Sequence, residues 1–276
     1  MNLFTASNFP DQRRFVLLAP KQHVHASRPF GSVRRDPREH DRLLRQAQKL
    51  RGEVYLADNA IEPWQLQDGL HRQPADSRSF HLLSLDEMGH VVACTRYLPH
   101  LSSVEFSQLG VSRSPLGQDR TTRPVFERAV ENELERAREL GFGYVEMGGW
   151  AVAEKLRCST EAVRMVVTIY ALARCLGGAL GISTVTTRHA SSSILRRLGG
   201  SSLLCGHLGE ATYFDPNYKC EMEILRFDSN CPSESFEGAI QRCQNMLAKM
   251  PVISPKPEEE DSLVLMMNPL AMAAVQ

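Results

Sequence analysis

From Tyr144 to Gly200 the sequence switches repeatedly between strand-like and helix-like periods, and glycines or capping residues mark the changes. Tyr144 to Val152 has strand-forming residues at both ends, but Gly148 and Gly149 interrupt its middle. Glycine inside a strand marks a bulge or the close approach of another group. Arg157-Cys158-Ser159-Thr160 follows, and then Glu161 to Leu176 places Val163, Val166, Val167, Tyr170 and Ala171 at helical spacing before Gly177-Gly178. Ser159 or Thr160 serves as the helix cap. Because the first turn of a helix presents unpaired N–H groups and the positive end of the dipole, an arginine just ahead of it makes a site for a phosphate or pyrophosphate. Ile182 to Thr187 reads as a second strand, and Ser191 to Gly200 as a capped short helix that ends in glycine. The order specifies an α/β (α+β) chain with a mixed central sheet flanked by helices.

That core resembles the GCN5-related N-acyltransferases (the GNAT fold), which bind acyl-CoA or acyl carrier protein thioesters. The earlier half resembles the acyl-homoserine-lactone synthases and N-acyl amino acid synthases of that fold, over about Leu44 to Phe227. The residues that carry this are Arg51-Gly52-Glu53-Val54-Tyr55, with an aromatic residue four places after an arginine, and Asp76 five residues ahead of His81-Leu82-Leu83. Next come a strand Phe80 to Leu85, a turn Asp86-Glu87-Met88-Gly89, a strand His90 to Tyr97, and Arg96-Tyr97-Leu98-Pro99 in place of the family's Arg-x-x-Pro. Val145 to Val152 corresponds to the family strand that carries a glutamate, here Glu146. Gly148-Gly149 stands where that strand has Ser-Arg, and Ile61 stands where a tryptophan is usual, with Trp64 following. These departures bear on the acceptor more than on acyl transfer.

The resemblance implies an N-acyltransferase that moves a fatty acyl group from acyl-CoA or an acyl carrier protein to the amine of an amino acid or similar small molecule. Such a reaction needs an amine freed of its proton, a polarised carbonyl and both reactants held close. Glu146 is the candidate to accept the amine proton, directly or through water. The backbone N–H groups of Gly148, Gly149, Trp150 and Ala151 are candidates to polarise the thioester carbonyl. Ala151, Val152, Arg157, Ser159 and Thr160 would hold the phosphopantetheine or pyrophosphate, and Arg51, Tyr55, Asp76 and Arg96 would orient the acceptor. Two plainer assignments stand beside these: Glu146 as a structural acid paired with Arg96 or Arg51, and Arg51, Asp76 and Arg96 as ties between the first helix and the sheet. Cys158 has no His/Asp partner pattern for a nucleophilic role, and His23-x-His25 lacks further metal ligands; no metal is expected.

Two other functions compete. An acyl-homoserine-lactone (autoinducer) synthase would take S-adenosylmethionine as acceptor, and Gly148-Gly149 in place of Ser-Arg argues against it. A non-catalytic module would bind an acyl thioester without turning it over.

Composition narrows the setting. The 276 residues are 42% hydrophobic and 23% charged, enough to bury a sizeable core. The longest early apolar run, Phe15 to Ala19, is too short for a membrane span or a signal-peptide core. The 7 cysteines show no C-x-x-C spacing and point to a reducing cytoplasm. The acidic run Glu258 to Asp261, set against a formal net charge of zero, leaves the rest of the chain mildly basic. Arg157, Arg164, Arg174, Arg188, Arg196 and Arg197 would suit an acyl carrier protein or the phosphates of CoA. Nothing marks a nucleic-acid binder, since the basic residues Arg34, Arg35 and Arg38 are few and interleaved with acids. Residues 1–40 are expected to be a loosely docked arm, 41–250 the acyltransferase domain, and 251–276 a linker and an apolar tail.

Overall fold

The computed structural model describes residues 14–21, 30, 32–188 and 191–255. In chain order the elements are β1 (Arg14–Leu18), β2 (Ser32–Arg35), α1 (Pro37–Ala57), β3 (Phe80–Leu85), β4 (Val91–His100), α2 (Pro115–Gln118), α3 (Arg123–Glu139) and β5 (Gly143–Val152). These are followed by α4 (Glu161–Cys175), β6 (Ala179–Thr186), α5 (Ser191–Arg197), β7 (Ser201–Ser202), β8 (Thr212–Asp215), β9 (Cys220–Asp228), α6 (Glu234–Leu247) and β10 (Pro251–Ser254). They fall into two compact units. The first comprises the described residues through Tyr97, Gly149–Cys175 and those from Glu234 on; the second comprises Leu98–Gly148 and Leu176–Ser233.

In the first unit α1 starts where its sequence says it should. Pro37 occupies the first turn, where its missing N–H is no loss, and the Asp36 carboxylate accepts from the Glu39 amide at 3.0 Å. Leu43, Leu44, Ala47 and Leu50 form the buried stripe of α1, packed with Val16, Leu18, Leu83, Leu85, Cys94 and Ile253. The sheet of this unit is mixed. β1 pairs antiparallel with β3 and parallel with β10, β10 pairs parallel with β2, and β3 pairs antiparallel with β4. α4 is apolar almost all round and buried over most of its length, as a helix covered on several sides must be. It packs on α6, and Arg164 lies 4.7 Å from the centre of the Phe15 ring.

The second unit also has a mixed sheet. β5 pairs parallel with β6, β6 antiparallel with β9, and β7 and β8 both lie antiparallel along β9. α3 lays Phe126, Val130, Leu134 and Ala137 onto this sheet, against Tyr144, Leu180 and Ile182. Phe106 meets Phe126 edge-on at 5.5 Å, which fixes the segment that precedes the helix. Both units therefore combine mixed sheets with helices, the class expected.

The ends of the chain differ from expectation. Arg14–Leu18 is an inner strand of the first sheet rather than part of a loose arm, and Leu17 and Leu18 are fully buried. Pro251–Ser254 is a strand rather than a linker, with Val252↔Leu17 and Ile253↔Leu18 in register. The physical reason is shared: two short apolar runs bury completely by pairing with each other, and Pro251 sits at the first residue of its strand, where a missing donor is tolerated. The apolar tail and the remainder of the arm lie outside the described residues. No helix of the described residues is long and apolar enough to cross a membrane.

Candidate active site

β5 carries the centre of the site. Its parallel pairing with β6 runs from Gly143↔Ala179 to Met147↔Ser183 and ends there, although both strands continue. Glu146, the penultimate paired residue and two places after Tyr144, shares a face of the strand with it. Its carboxylate is nearly buried: Oε2 accepts from His100 Nε2 at 3.0 Å and from the Gly110 amide at 2.9 Å, and Oε1 accepts from the Val111 amide at 3.1 Å. Burial on its own would raise the Glu146 carboxyl pKa, but the His100 ring and the two amides outweigh it and the net shift is downward. Glu146 is thus a carboxylate at neutral pH. A Cβ on Gly110 would come within 2.9 Å of Glu146 Oε1, so the close approach of this turn to the acid requires glycine.

Glu146 bonds His100, Gly110 and Val111 rather than Arg51 or Arg96, and sequence reasoning missed all three. His100 left one signal, as it follows the Arg96-to-Pro99 run at the end of β4. Gly110 and Val111 left none, because their amides meet an acid 36 and 35 positions away.

The structure brings Arg51, Asp76 and Arg96 together in the first unit. Arg51 clasps Asp76 through two parallel hydrogen bonds of 2.8 and 3.1 Å, with 1% and 5% of the two side chains exposed. Asp76 also accepts from Arg96 Nη1 at 3.1 Å, Gln48 Nε2 at 3.0 Å and the Gln73 amide at 3.0 Å. Both carboxylate oxygens are thus occupied by donors of the protein itself. Burial opposes the charge of Asp76, yet the Arg51 guanidinium holds its pKa far below the usual carboxylate range. Arg51 Nε donates to His71 Nδ1 at 3.1 Å and another of its nitrogens donates to the His71 carbonyl; burial, with Arg51 beside it, lowers the His71 pKa to about 4. His81, fully enclosed, is likewise lowered to about 4 by burial and places Nε2 2.8 Å from the Asp76 carbonyl. The plainer sequence assignment, a tie between α1 and the sheet, describes this geometry.

The glycine pair of β5 has a clear reason. Gly149 adopts φ +61°, and a Cβ there would meet Arg51 Nη1 at 3.0 Å and Arg96 Cβ at 3.4 Å. Its carbonyl accepts from the Cys94 thiol at 3.5 Å, and the Trp150 carbonyl accepts from Tyr55 Oη at 3.4 Å. Cys94, whose pKa is pushed up to about 11 by burial, also meets the Ala151 amide, so that N–H is already engaged. Tyr55 stacks edge-on with His71 at 5.3 Å. Val152 is the last residue of β5 and is half-buried.

At the start of α4, Ser159 Oγ accepts from the Glu161 amide at 3.2 Å and is the side-chain cap, while the Thr160 carbonyl accepts from the Arg164 amide. Arg157 pairs with Asp58 at 2.8 Å, and within the first turn Glu161, fully buried, pairs with Arg164 at 2.9 Å. Cys158 is exposed at φ +63°. A cleft of about 420 Å³ in the second unit, lined by Glu133, Arg196, Ser202 and Arg226 among others, contains one of the arginines expected to suit the donor, Arg196, and none of the other candidate site residues.

No protein-family model matches the sequence. No curated protein matches it in sequence either. Solved structures match in fold. The CoA-dependent acyl-homoserine lactone synthase BjaI, solved with SAM and isopentyl-CoA, aligns with TM-score 0.51 at 12% identity over 86% of this chain and 94% of its own. The CoA-dependent acyl-homoserine lactone synthase MesI aligns with TM-score 0.51 at 14% identity over 86% of this chain and 98% of its own. FeeM, an N-acyl amino acid synthase from uncultured soil microbes, aligns with TM-score 0.45 at 13% identity over 79% of this chain and 92% of its own. By its order of elements and by the alignments with BjaI and MesI, the chain has the GNAT-like fold of the acyl-homoserine lactone synthases.

Proposed function

We propose that this protein is an N-acyltransferase that transfers an acyl group from a thioester, acyl-CoA or an acyl carrier protein, to the amine of an amino acid or similar small molecule. One observation carries the reading. A buried carboxylate, Glu146, is held ionised on the strand that leaves its parallel neighbour one residue later, in a chain with the fold of acyl-transferring synthases. The acceptor nitrogen attacks the thioester carbonyl, a C–N bond forms, the C–S bond breaks, and the thiolate leaves with a proton. The amides of Gly148, Gly149 and Trp150 follow Glu146 directly along β5 and are our candidates to stabilise the oxyanion. Ser159, Thr160 and Arg157 at the start of α4 would meet the phosphates of the donor, with Arg157 exchanging the Asp58 carboxylate for phosphate.

A homoserine-lactone product is the second reading, since BjaI and MesI make one. Gly149 disfavours it: a larger residue at that position strains the backbone and meets Arg51. The test uses purified full-length protein with acyl-CoA and acyl carrier protein donors of graded chain length, each with amino acids and with S-adenosylmethionine, reading thiol release and product mass. Thiol release with an N-acyl amino acid as product, reduced about 100-fold or more in Glu146→Gln, is the expected result. An acyl lactone instead would establish the second reading. A bound thioester with no thiol release would make the protein a binding module and end the enzyme reading.

A further inference from the structure

We infer that the group which removes the amine proton is His100, and that Glu146 is its positioning residue; this rests on the acyltransferase reading above and names a residue of the same site.

The argument begins with the lone pairs of Glu146. Oε2 already accepts two N–H groups, from His100 and Gly110, and Oε1 accepts a third from Val111. A carboxylate so held is a weak base, and to take a proton from a substrate it would have to give up contacts that keep the turn at 110–111 in place. His100, whose side chain is itself only 5% exposed, differs in its hydrogen bonding. For Glu146, with no hydrogen of its own, to bond His100 Nε2 at 3.0 Å, the imidazole must carry its proton on Nε2. The other ring nitrogen, Nδ1, is then a bare acceptor, and it makes no hydrogen bond among the described residues. A carboxylate that fixes the tautomer and orientation of an imidazole, and balances the charge when the ring is protonated, is the usual support of a histidine base.

The backbone supports the same arrangement. His100 is the last residue of β4, and Glu146 lies on β5 with its carboxylate also held by the amides at 110 and 111. The imidazole is therefore held at the end of a strand by an acid that cannot rotate away, the rigidity that proton transfer requires. The other ionisable groups near this stretch of β5 are Tyr144, two residues back on the strand, Glu131 and Glu133 from α3, and Arg226 from β9, all of which act electrostatically on Tyr144. None of them is hydrogen-bonded to His100, whose partner is Glu146.

The proton balance is complete within the proposed reaction. A neutral amine attacks the carbonyl, and the tetrahedral adduct carries a protonated nitrogen. His100 Nδ1 takes that proton, becoming an imidazolium paired with Glu146. As the C–S bond breaks, the same proton passes from Nδ1 to the departing sulfur, so the products are amide and thiol and His100 returns to its neutral form.

Three measurements test this. In a nitrogen-15 spectrum of histidine-labelled protein, assigned by comparison with His100→Gln, the His100 ring should show the Nε2–H tautomer without substrate. An Nδ1–H tautomer overturns the proposal and leaves the acyltransferase reading untouched. In steady-state assays His100→Gln should lower kcat/KM for the amine by about 100-fold or more, with the KM of the thioester within about two-fold and the acidic limb of the wild-type pH profile abolished. His100→Gln that folds, by its thermal midpoint, and keeps kcat and the acidic limb overturns the proposal alone. Wild-type protein that releases no thiol from any donor overturns the acyltransferase reading and this proposal with it.

Discussion

Each unit of this protein holds a carboxylate away from water, and the two are held by different donors. In the first, two arginines, a glutamine and an amide surround Asp76; in the second, a histidine and two amides surround Glu146. Arginine does not release its proton at any pH a protein tolerates, so the Asp76 cluster can bind charge but cannot move a proton. An imidazole gains and loses one near neutrality. From sequence, Glu146 was the candidate to accept the amine proton and Asp76 a candidate to orient the acceptor, each with a structural pairing as its plainer assignment; the identity of the partners separates a clamp from a device that can turn over.

The largest expected effect is on the clamp. Asp76→Asn leaves the buried Arg51 without its counter-charge and should lower unfolding free energy by about 3–5 kcal/mol, read by urea denaturation. Glu146→Gln, in the same assay, should lose less than half as much, because its main contacts are with neutral donors. Equal losses would break the contrast between the two clusters.

A second expectation concerns acid. His71 and His81 are both depressed to about 4, below the ordinary histidine value of about 6.5. Their folded pKa lies below the unfolded one, so the unfolded chain binds more protons in between. Stability from their neutral forms is fully present above about pH 6.5 and is lost as pH falls towards 4. Each histidine should contribute on the order of 3 kcal/mol to the decline in unfolding free energy, read by urea denaturation across that window. His81→Gln should flatten the slope; an unchanged slope would place the acid sensitivity outside the clamp. Asp76 acts in the same direction at lower pH, since its depressed pKa gives stability that is kept above about pH 4 and lost below it.

Next is the glycine that lies against the clamp. Gly149→Ala forces a positive φ on a residue with a Cβ and pushes on Arg51, and should destabilise by about 1–3 kcal/mol in the same denaturation assay. Gly148→Ala, with no such φ, should be milder. The smallest effect is expected of Arg157→Ala. This pair is partly exposed, and its removal should change stability by less than about 1 kcal/mol, while KM for the thioester rises if the α4 start binds donor phosphate.

How much was legible follows from the range of each interaction. β3, α4 and β5 were readable because period and glycine placement act within a few residues, and the structure bounds them within one residue of the sequence reading. β1 and β10 were not, since Phe15 to Leu18 and Val252-Ile253 are each too short to announce a strand, and their meaning lies in each other. In the candidate site, Glu146 was reached through a motif resemblance. Its partners were not, because a hydrogen bond between residues 100 and 146 follows from how the sheet is built and leaves no local pattern.

The pairing of β1 with β10 also sets an order of events in synthesis. β1 leaves the ribosome well before β10, so one edge of β1 stays bare until residue 254 has emerged. The second unit draws on no residue after Ser233 among those described, and its sheet can assemble earlier. The long loop between β1 and β10 is entropically costly to close, which makes that step late and slow. Until then the chain exposes a strand edge of Phe15, Val16 and Leu17, the kind that pairs with other chains. Expression at low temperature, where synthesis and aggregation both slow, is the condition that this topology favours for recovering soluble protein.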